Sequence, residues 1–403
     1  MDGNHGLKRL AWRLLPLDRE AKAEVRRDWR ATAEPASDEV CLKEAVGWLC
    51  RAQDGTPDAG VARAYKAAKH RGFGPFGWQA SYPETTGYII PTFFALCDHY
   101  RTQEFRLRAL RMADWEIEIQ MASGSVMGSV VTAPPSPAVF NTGQVILGWI
   151  EAYRQSGEPR YLAAASKAGD YLISVQESDG AWRKGNSNFA LRDSTVYNTR
   201  VAWALISLGE VSGKRGYRDS GLRNIAYALA KQNDQGWFAD NCLSDPQQPL
   251  LHTIIYAIRG ILESGLLLGR EDFIECARKP LERLLAVISP EGRMPGRLTA
   301  AWQPAVDWDC LTGNCQAAGA WLRLYSVTKD ERWRQAARRV VDFVKRTQNV
   351  EHTNPGIRGG IKGSFPFDGG YGPFELLNWA VKFYCDALMM LNNETVLRNG
   401  IRG

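Results

Sequence analysis

The sequence predicts an all-α protein, an (α/α)6 toroid of six helical hairpins with about twelve helices and long loops at one mouth of the ring. Three observations predict this fold class. A unit of nearly constant length recurs along the chain, each unit pairs an apolar helix with an amphipathic one, and no sustained period-two alternation typical of a sheet is present.

The repeat is clearest in five apolar segments that align on a threonine. They read "PETTGYIIPTFFAL", "VFNTGQVILGWIEAY", "VYNTRVAWALISLGEV", "LLHTIIYAIRGILES" and "DCLTGNCQAAGAWLRLY". The aligned residues, Thr86, Thr142, Thr199, Thr253 and Thr312, are spaced 56, 57, 54 and 59 residues apart. A sixth segment, "FELLNWAVKFYCDAL", follows after a longer glycine-rich insertion.

Each of the first five segments continues through a short turn into a more polar helical stretch, such as "DERWRQAARRVVDFVKRTQ". Helix pairs of this kind bury their apolar faces by stacking side by side, and six can close into a ring with the apolar helices inside. With an opening helix near 38–53 and a closing one near 373–391, the toroid is expected to span residues 38–391. A basic helical extension, 1–37, precedes it, and a tail, 392–403, follows.

Composition excludes several classes of protein. Hydrophobic residues make up 45% and charged residues 23% of the 403 residues, as in ordinary globular proteins. The formal net charge of +6 comes from scattered Lys and Arg, so it mildly favours an anionic partner and not nucleic acid. No apolar run reaches the ~20 residues that span a bilayer. The N-terminal "LKRLAWRLLPL" is a poor signal peptide; it is expected to be a surface helix, with weak peripheral membrane contact as the alternative.

The eight cysteines mostly occupy helical apolar patterns, which favours free thiols in a reducing compartment and therefore a cytoplasmic protein. Cys310 and Cys315 are five residues apart, but no histidine-containing second half of a zinc motif accompanies them. We therefore expect neither a metal site nor a cofactor.

Several phrases of these segments point to a family. "PETTGYIIPTFF", "LLHTIIYAIRG", "DCLTGNCQ" and "LLNWAVKFYCDAL" give the chain, over about residues 38–391, a resemblance to the six-hairpin toroid enzymes of polysaccharide metabolism. The phrases are similar to the helical domain of D-glucuronyl C5-epimerases and to related polysaccharide-biosynthesis proteins. The resemblance implies a carbohydrate-active enzyme, although this fold hosts several chemistries.

The inner helices of such a ring begin at one mouth, so residues just before the aligned threonines are neighbours across a cavity. These are Thr85, Asn141, Asn198, His252, Leu311 and, in the sixth unit, Glu375. Helix capping is the alternative explanation for the asparagines. In "LLHTIIYAIRG", His252, Tyr256 and Arg259 share one helical face apart from the apolar stripe.

That face predicts acid–base chemistry on a uronic-acid-like sugar. His252 or Tyr256 would exchange a proton, while Arg259 would stabilise negative charge. Tyr197, Arg200, Asn141 and Asn198 would complete the substrate-binding cluster. Alternatively, Arg259 pairs with a buried carboxylate such as Asp309 and is structural.

A second group of candidates is acidic. Asp307 and Asp309, Glu84, Asp368 and Glu375 all lie near expected helix starts at the mouth. Two carboxylates across the mouth would suit an inverting glycosidase, with Asp309 paired with Glu84 or Glu375. Favourable interaction with the helix dipole is the structural alternative.

Aromatic residues also collect in the loops expected at the mouth, and flat rings stack on the apolar faces of sugars. They are Trp78, Tyr82, Trp182, Trp237, Trp302, Trp308 and Tyr371. Packing between hairpins is the alternative for each. The long loops 54–83, 122–140, 289–309 and 349–372 would form the walls of the cleft.

Together these patterns predict an enzyme acting on an anionic poly- or oligosaccharide by lyase or C5-epimerase chemistry on a uronic-acid-like sugar. An inverting glycoside hydrolase is the first alternative. A non-catalytic glycan-binding component of an exopolysaccharide machine is the second.

Overall fold

The computed structural model describes residues 19–29, 34–68, 76–401 and 403, and within them the chain is almost entirely helical. The helices are α1 (Arg19–Trp29), α2 (Asp38–Asp54), α3 (Pro83–Tyr100), α4 (Gln103–Glu118), α5 (Val139–Ser156), α6 (Pro159–Val175), α7 (Thr199–Ser212), α8 (Arg215–Leu229), α9 (Leu251–Leu268), α10 (Glu271–Leu285), α11 (Leu311–Thr328), α12 (Glu331–Thr347), α13 (Asn378–Asn392) and α14 (Glu394–Asn399).

Twelve of these helices, α2 to α13, form a closed ring of two layers. The inner helices are α3, α5, α7, α9, α11 and α13, each of which packs against the next, and α13 returns to contact α3. The outer helices are α2, α4, α6, α8, α10 and α12. The predicted (α/α)6 toroid is therefore confirmed.

The inner helices are buried on every side because they lie between the lumen and the outer layer. In α9, for example, every residue from Leu251 to Gly265 is buried. This helix is long and apolar enough to cross a membrane by length and composition, yet 83% of the stretch is buried inside the ring. Inner helices end in left-handed residues such as Gly157, Gly213 and Gly269, where the chain turns sharply into the outer helix.

A repeated glutamine holds neighbouring outer helices together. At the end of α6, the amide of Gln176 donates to the carbonyls of Gly180, in its own loop, and Ser220, in the next outer helix. A Cβ on Gly180 would lie 2.5 Å from the carbonyl oxygen of Arg223, so only glycine fits this approach. Equivalent bonds are made by Gln53, Gln120, Gln232 and Gln348. The bond from Gln348 to the carbonyl of Cys41 joins the last outer helix to the first and closes the ring.

Short strands hold the loops at the mouth together, although no strand was predicted. β1 (Ala64–Lys66) pairs antiparallel with β2 (Gly77–Trp78) and with β5 (Glu375–Leu377). β3 (Asp309–Cys310) pairs antiparallel with β4 (Ser364–Phe365). The closing inner helix consequently begins at Asn378, and Glu375 lies in a strand.

The helix α1 packs outside the ring against the loop 349–372. Arg27 donates to the carbonyls of Thr347 and Gln348. The ammonium of Lys362, in that loop, lies 2.9 Å from a carboxylate oxygen of Glu24 and 2.5 Å from one of Asp28, and all three side chains are almost completely buried. The segment "LKRLAWRLLPL", with its predicted membrane contact, lies outside the described residues.

Candidate active site in the mouth cavity

A cavity of about 750 Å³ opens at the mouth where the inner helices begin. Side chains from the starts of α3, α5, α9 and α13 line it, together with residues of the long loops. The residues that matter for chemistry are Arg63, Tyr82, Glu84, Asn141, Tyr197, His252, Tyr256, Arg297, Tyr371 and Trp379. The sequence correctly predicted that Glu84, Asn141, Tyr197, His252 and Tyr256 are brought together.

Glu84 is the carboxyl group of this cavity. The second residue of α3, it accepts a hydrogen bond of 2.7 Å from the hydroxyl of Tyr82. Burial raises the pKa of Glu84 to about 7, although Tyr82 and the cation of Arg200 act in the opposite direction. The carboxyl group is therefore balanced between its acid and base forms near neutral pH, as proton transfer requires.

His252 supplies the second proton-transfer group, in a defined tautomer. Its Nδ1 lies 2.9 Å from Oε1 of Gln316, an oxygen that can only accept, so Nδ1 carries the proton and Nε2 keeps its lone pair. Burial, together with the cation of Arg200, lowers the pKa of His252 to about 4, while the hydrogen bond to Gln316 opposes the shift. The imidazole is thus neutral near pH 7 and can accept a proton.

Aromatic rings surround the imidazole. The ring of Tyr256 lies 4.3 Å from that of His252, and the ring of Tyr371 lies 5.5 Å away, centre to centre. Burial strongly raises the pKa of Tyr256. Tyr256 therefore stays protonated, as a hydrogen-bond donor at the cavity floor, at any ordinary pH.

One wall of the cavity combines a cation with aromatic rings. The guanidinium of Arg63 forms an ion pair of 2.9 Å with Glu375 and lies 5.4 Å from the ring centre of Trp379. The indole N–H of Trp379 donates to the hydroxyl of Tyr371 at 3.0 Å. This wall offers flat apolar surface beside donors, as a sugar ring requires.

A second cation, Arg297, also lines the cavity. Arg297 donates to the carbonyl of Gln248 at 2.6 Å and to the hydroxyl of Ser244 at 3.1 Å. It makes no ion pair with any carboxylate of the residues described here, so its charge remains available to a substrate. Farther out on the rim, Phe189 is 67% exposed and faces the same space.

The asparagines do not cap their helices. The amide of Asn141 donates to the carbonyl of Met127 at 2.9 Å and so fixes a mouth loop. Asn198 precedes α7 but makes no capping bond, and neither of its buried amide atoms has a partner in the described part of the chain. Asn198 also lies outside the cavity lining, contrary to its prediction as a substrate-binding residue.

Arg259 lies outside the cavity lining because it sits almost one helical turn below Tyr256, past the cavity floor. It forms an ion pair of 2.7 Å with Glu263, which also pairs with Arg323 at 3.0 Å. These two cations hold the pKa of Glu263 at about 2. The structural alternative for Arg259 is correct, but its partner is Glu263 and not Asp309.

The carboxylate pair of the glycosidase hypothesis is absent from the described cavity lining. Asp309 lies in β3, buried, and accepts from Arg293 at 2.8 Å. Burial raises its pKa to about 7 despite that cation. Glu375 is similarly occupied by Arg63, and the cavity is lined by neither acid.

The predicted aromatic platform is wrong for the five rings that lie outside the cavity lining, Trp78, Trp182, Trp237, Trp302 and Trp308. Trp182 is fully buried and donates to the carbonyl of Leu172, while Trp237 packs edge-on against Trp302. Trp308 packs behind Gly370, supporting the cavity wall without lining it. Their hairpin-packing alternative is the correct one, whereas Tyr82 and Tyr371 do line the cavity.

The residues that sequence reasoning missed are Arg63, Arg297 and Trp379. Arg63 lies beside β1, and only the pairing of β1 with β5 brings it to Glu375 and α13. Trp379 carried a signal, because the "LLNWAV" phrase places it one residue after the start of the sixth inner helix. Arg297 lies in a loop without any local pattern.

Comparison with known proteins establishes the class of fold. No family model matches the chain, and no curated protein matches it. Solved structures do match, and they are (α/α)6 toroid enzymes of sugar metabolism.

Three of these structures match the chain with similar TM-scores, sequence identities and coverages. An unsaturated glucuronyl hydrolase from Bacillus sp. GL1, responsible for the degradation of glycosaminoglycan, has a TM-score of 0.68 at 15% identity, covering 89% of this chain and 97% of that one. Cellobiose 2-epimerase from Bacillus thermoamylovorans B4167 has a TM-score of 0.66 at 14% identity, with coverage of 92% and 98%. A D-mannose isomerase has a TM-score of 0.66 at 13% identity, with coverage of 89% and 99%. At such identities the likeness shows the fold.

Proposed function

We propose that the protein is a carbohydrate-active enzyme that moves a proton on an acidic sugar unit of a poly- or oligosaccharide. The observation that carries the proposal is the pairing, in one cavity, of a neutral imidazole of fixed tautomer with a carboxyl group whose pKa is about 7. The fold supports it, since a glucuronyl hydrolase, epimerases and an isomerase share this toroid.

The chemistry begins with the hydrogen on C5 of a uronate, which is acidified by the neighbouring carboxylate. Nε2 of His252 takes this proton, the C5–H bond breaks, and its electron pair moves into the sugar carboxylate to give an enolate. Protonated Glu84 returns a proton to C5 from the other side for epimerisation. For elimination, it protonates the leaving oxygen as the C4–O bond breaks.

Binding of the anionic sugar is assigned to the cations of the wall. Arg297 offers an unpaired guanidinium to the uronate carboxylate, and Arg63 adds a partly compensated one. Tyr371 and Trp379 provide the ring platform. A hydrogen bond to a charged group of this kind contributes about 1.5–3 kcal/mol.

Hydrolysis is the second candidate, favoured by the likeness to unsaturated glucuronyl hydrolases. It is weakened by the absence of a second carboxylate from the described lining of the cavity. A glycan-binding protein without catalysis is the remaining alternative.

The test uses purified protein with polygalacturonate, alginate and heparosan in D2O. Solvent deuterium at C5 without chain cleavage indicates epimerisation, and ultraviolet absorbance of an unsaturated product indicates elimination. New reducing ends without unsaturation would promote the hydrolase. Binding of these glycans with no chemical change would refute the enzymatic proposal.

We further propose that the protein works in a reducing compartment such as the cytoplasm, because all eight cysteines are free thiols, and most are buried.

A further inference from the structure

Arg200 lies beneath the floor of the mouth cavity, on the second residue of α7. It is 1% exposed, and its Nε donates to Oε1 of Gln144 at 2.8 Å. The guanidinium carbon lies 5.1 Å from the ring centre of Tyr256 and 6.0 Å from that of Tyr88. Its Nη2 has no hydrogen-bond partner among the residues the structure describes.

Arg200 belongs to a buried cluster in the lumen of the ring that carries more cations than anions. Arg259 and Arg323 share Glu263, and Lys382 pairs with Asp386 at 2.6 Å. Within the described chain, Arg200 forms no ion pair at all. The six side chains are Arg200, Arg259, Arg323, Lys382, Glu263 and Asp386, so four cations share two carboxylate side chains. Lys382 also donates to an oxygen of Gly403 at 2.8 Å, whereas Arg200 has no such partner in the described part of the chain.

The excess positive charge changes the pKa values of neighbouring groups. Burial, together with the cations of Arg200 and Arg259, lowers the pKa of Lys382 to about 8, although Asp386 opposes the shift. Arg200 likewise acts on Glu84 and His252 in the cavity above. The field of Arg200 therefore reaches both proton-transfer groups.

We propose that Arg200 is a positioning residue that acts through Tyr256 as a fixed, unpaired positive charge under the cavity, making the site selective for a substrate that becomes more negative as it reacts. The inference rests on the proposed function and deepens it, because it separates the two chemistries considered above. Arg200 does not line the cavity and so is not assigned a contact with the sugar.

The selectivity follows from the charge of the intermediates. Transfer of the C5 proton to Nε2 of His252 raises the charge on the two sugar carboxylate oxygens from one negative charge to two, which a buried cation stabilises in a low dielectric. The same transfer leaves a positive charge on His252, which Arg200 disfavours, so the selectivity requires Arg200 to act more strongly on the sugar carboxylate than on the imidazole. Cleavage of a glycosidic bond by a hydrolase instead develops positive charge on the sugar ring. The same cation would raise that barrier.

This arrangement lowers the stability of the folded protein. A buried guanidinium without a carboxylate is desolvated and uncompensated, so an uncharged side chain of similar length should be tolerated by the fold. The substitution Arg200→Met removes the charge and keeps the bulk, although it leaves Gln144 without its donor. Arg200→Lys keeps the charge and serves as the matched control.

The test reads the field directly and needs no substrate. The imidazole of His252 is titrated by NMR in the full-length protein, with its signal assigned by its loss in His252→Asn. The pKa of His252 should rise by about one unit in Arg200→Met and stay near its original value in Arg200→Lys. Arg200→Gln, which keeps an amide donor for Gln144, replaces the methionine variant should that variant fold poorly.

Measurement of turnover is the second part of the test. On any uronate glycan that the wild type converts, Arg200→Met should lower kcat about 10²-fold with little change in KM, because the residue does not contact the sugar. Equal pKa values of His252 in the wild type and the methionine variant would overturn the inference, as would a loss confined to KM. Lack of turnover by the wild type would refute the proposed function while leaving the titration decisive for Arg200.

Discussion

Raising the pH should switch the enzyme off by ionising Glu84. The proposed proton transfer requires Glu84 to be protonated and His252 to be neutral, and their pKa values are about 7 and about 4. Activity should therefore follow a bell with its maximum near pH 5.5 (the midpoint). Since each pH unit changes the protonated fraction tenfold, about 3% of Glu84 stays protonated near pH 8.5, and about a tenth of His252 stays neutral near pH 3.

The assay is the initial rate of proton exchange or elimination across this range, together with an NMR titration of the Glu84 carboxyl group. The Glu84 signal is identified by its loss in Glu84→Gln. A rate that keeps rising above pH 8, or a Glu84 carboxyl group that titrates near its ordinary value of about 4.3, would refute the assignment.

Three further predictions concern the walls and the frame of the site. Arg297→Gln should raise KM for a uronate glycan about tenfold and leave binding of a neutral glycan unchanged, as measured by calorimetry; an equal loss for both glycans would contradict its role. Asp309→Asn should leave turnover unchanged, because this carboxylate lies outside the cavity lining; loss of activity would promote the glycosidase hypothesis. Lys362→Met should lower the free energy of unfolding by about 3–5 kcal/mol in a urea titration, because it strands Glu24 and Asp28 in a buried site. A change under about 1 kcal/mol would show that those carboxylates are solvated.

The ring itself was predictable because the hydrophobic pattern that produces it repeats along the chain. An apolar helix followed by an amphipathic one at a spacing near 56 residues leaves a closed ring as the way to bury every inner helix. The interhelix glutamines were equally visible, since Gln120, Gln176 and Gln232 each precede a glycine by four residues. Their function was missed because the shared spacing does not show which carbonyl of the neighbouring helix each amide reaches.

Residues of the site were predictable only where the helical period places them on the side of a helix that faces the cavity. His252 and Tyr256 share a face at the first turns of α9, which fixes them at the mouth. Arg259 shares the same face, but its extra turn of depth carries it past the floor to Glu263. Whether a residue at a given depth along the helix lines the cavity depends on where the cavity ends. The neighbouring elements determine that end, and the sequence of the helix does not.

The prediction of a catalytic carboxylate pair failed for a related reason. Asp309 and Glu375 were placed near helix starts, and both positions are close to that expectation. What the sequence could not show is that loops bring Arg293 and Arg63 against them. Ion pairs between residues far apart in the chain depend on strand register, which two- and three-residue strands do not reveal locally.

The most direct measurement of the central claim is deuterium incorporation at C5 of a uronate glycan in D2O, compared between the wild type and matched variants. We expect incorporation by the wild type and by Asp309→Asn, and its loss in both His252→Asn and Glu84→Gln. Undiminished incorporation in His252→Asn, or loss in Asp309→Asn alone, would contradict that claim.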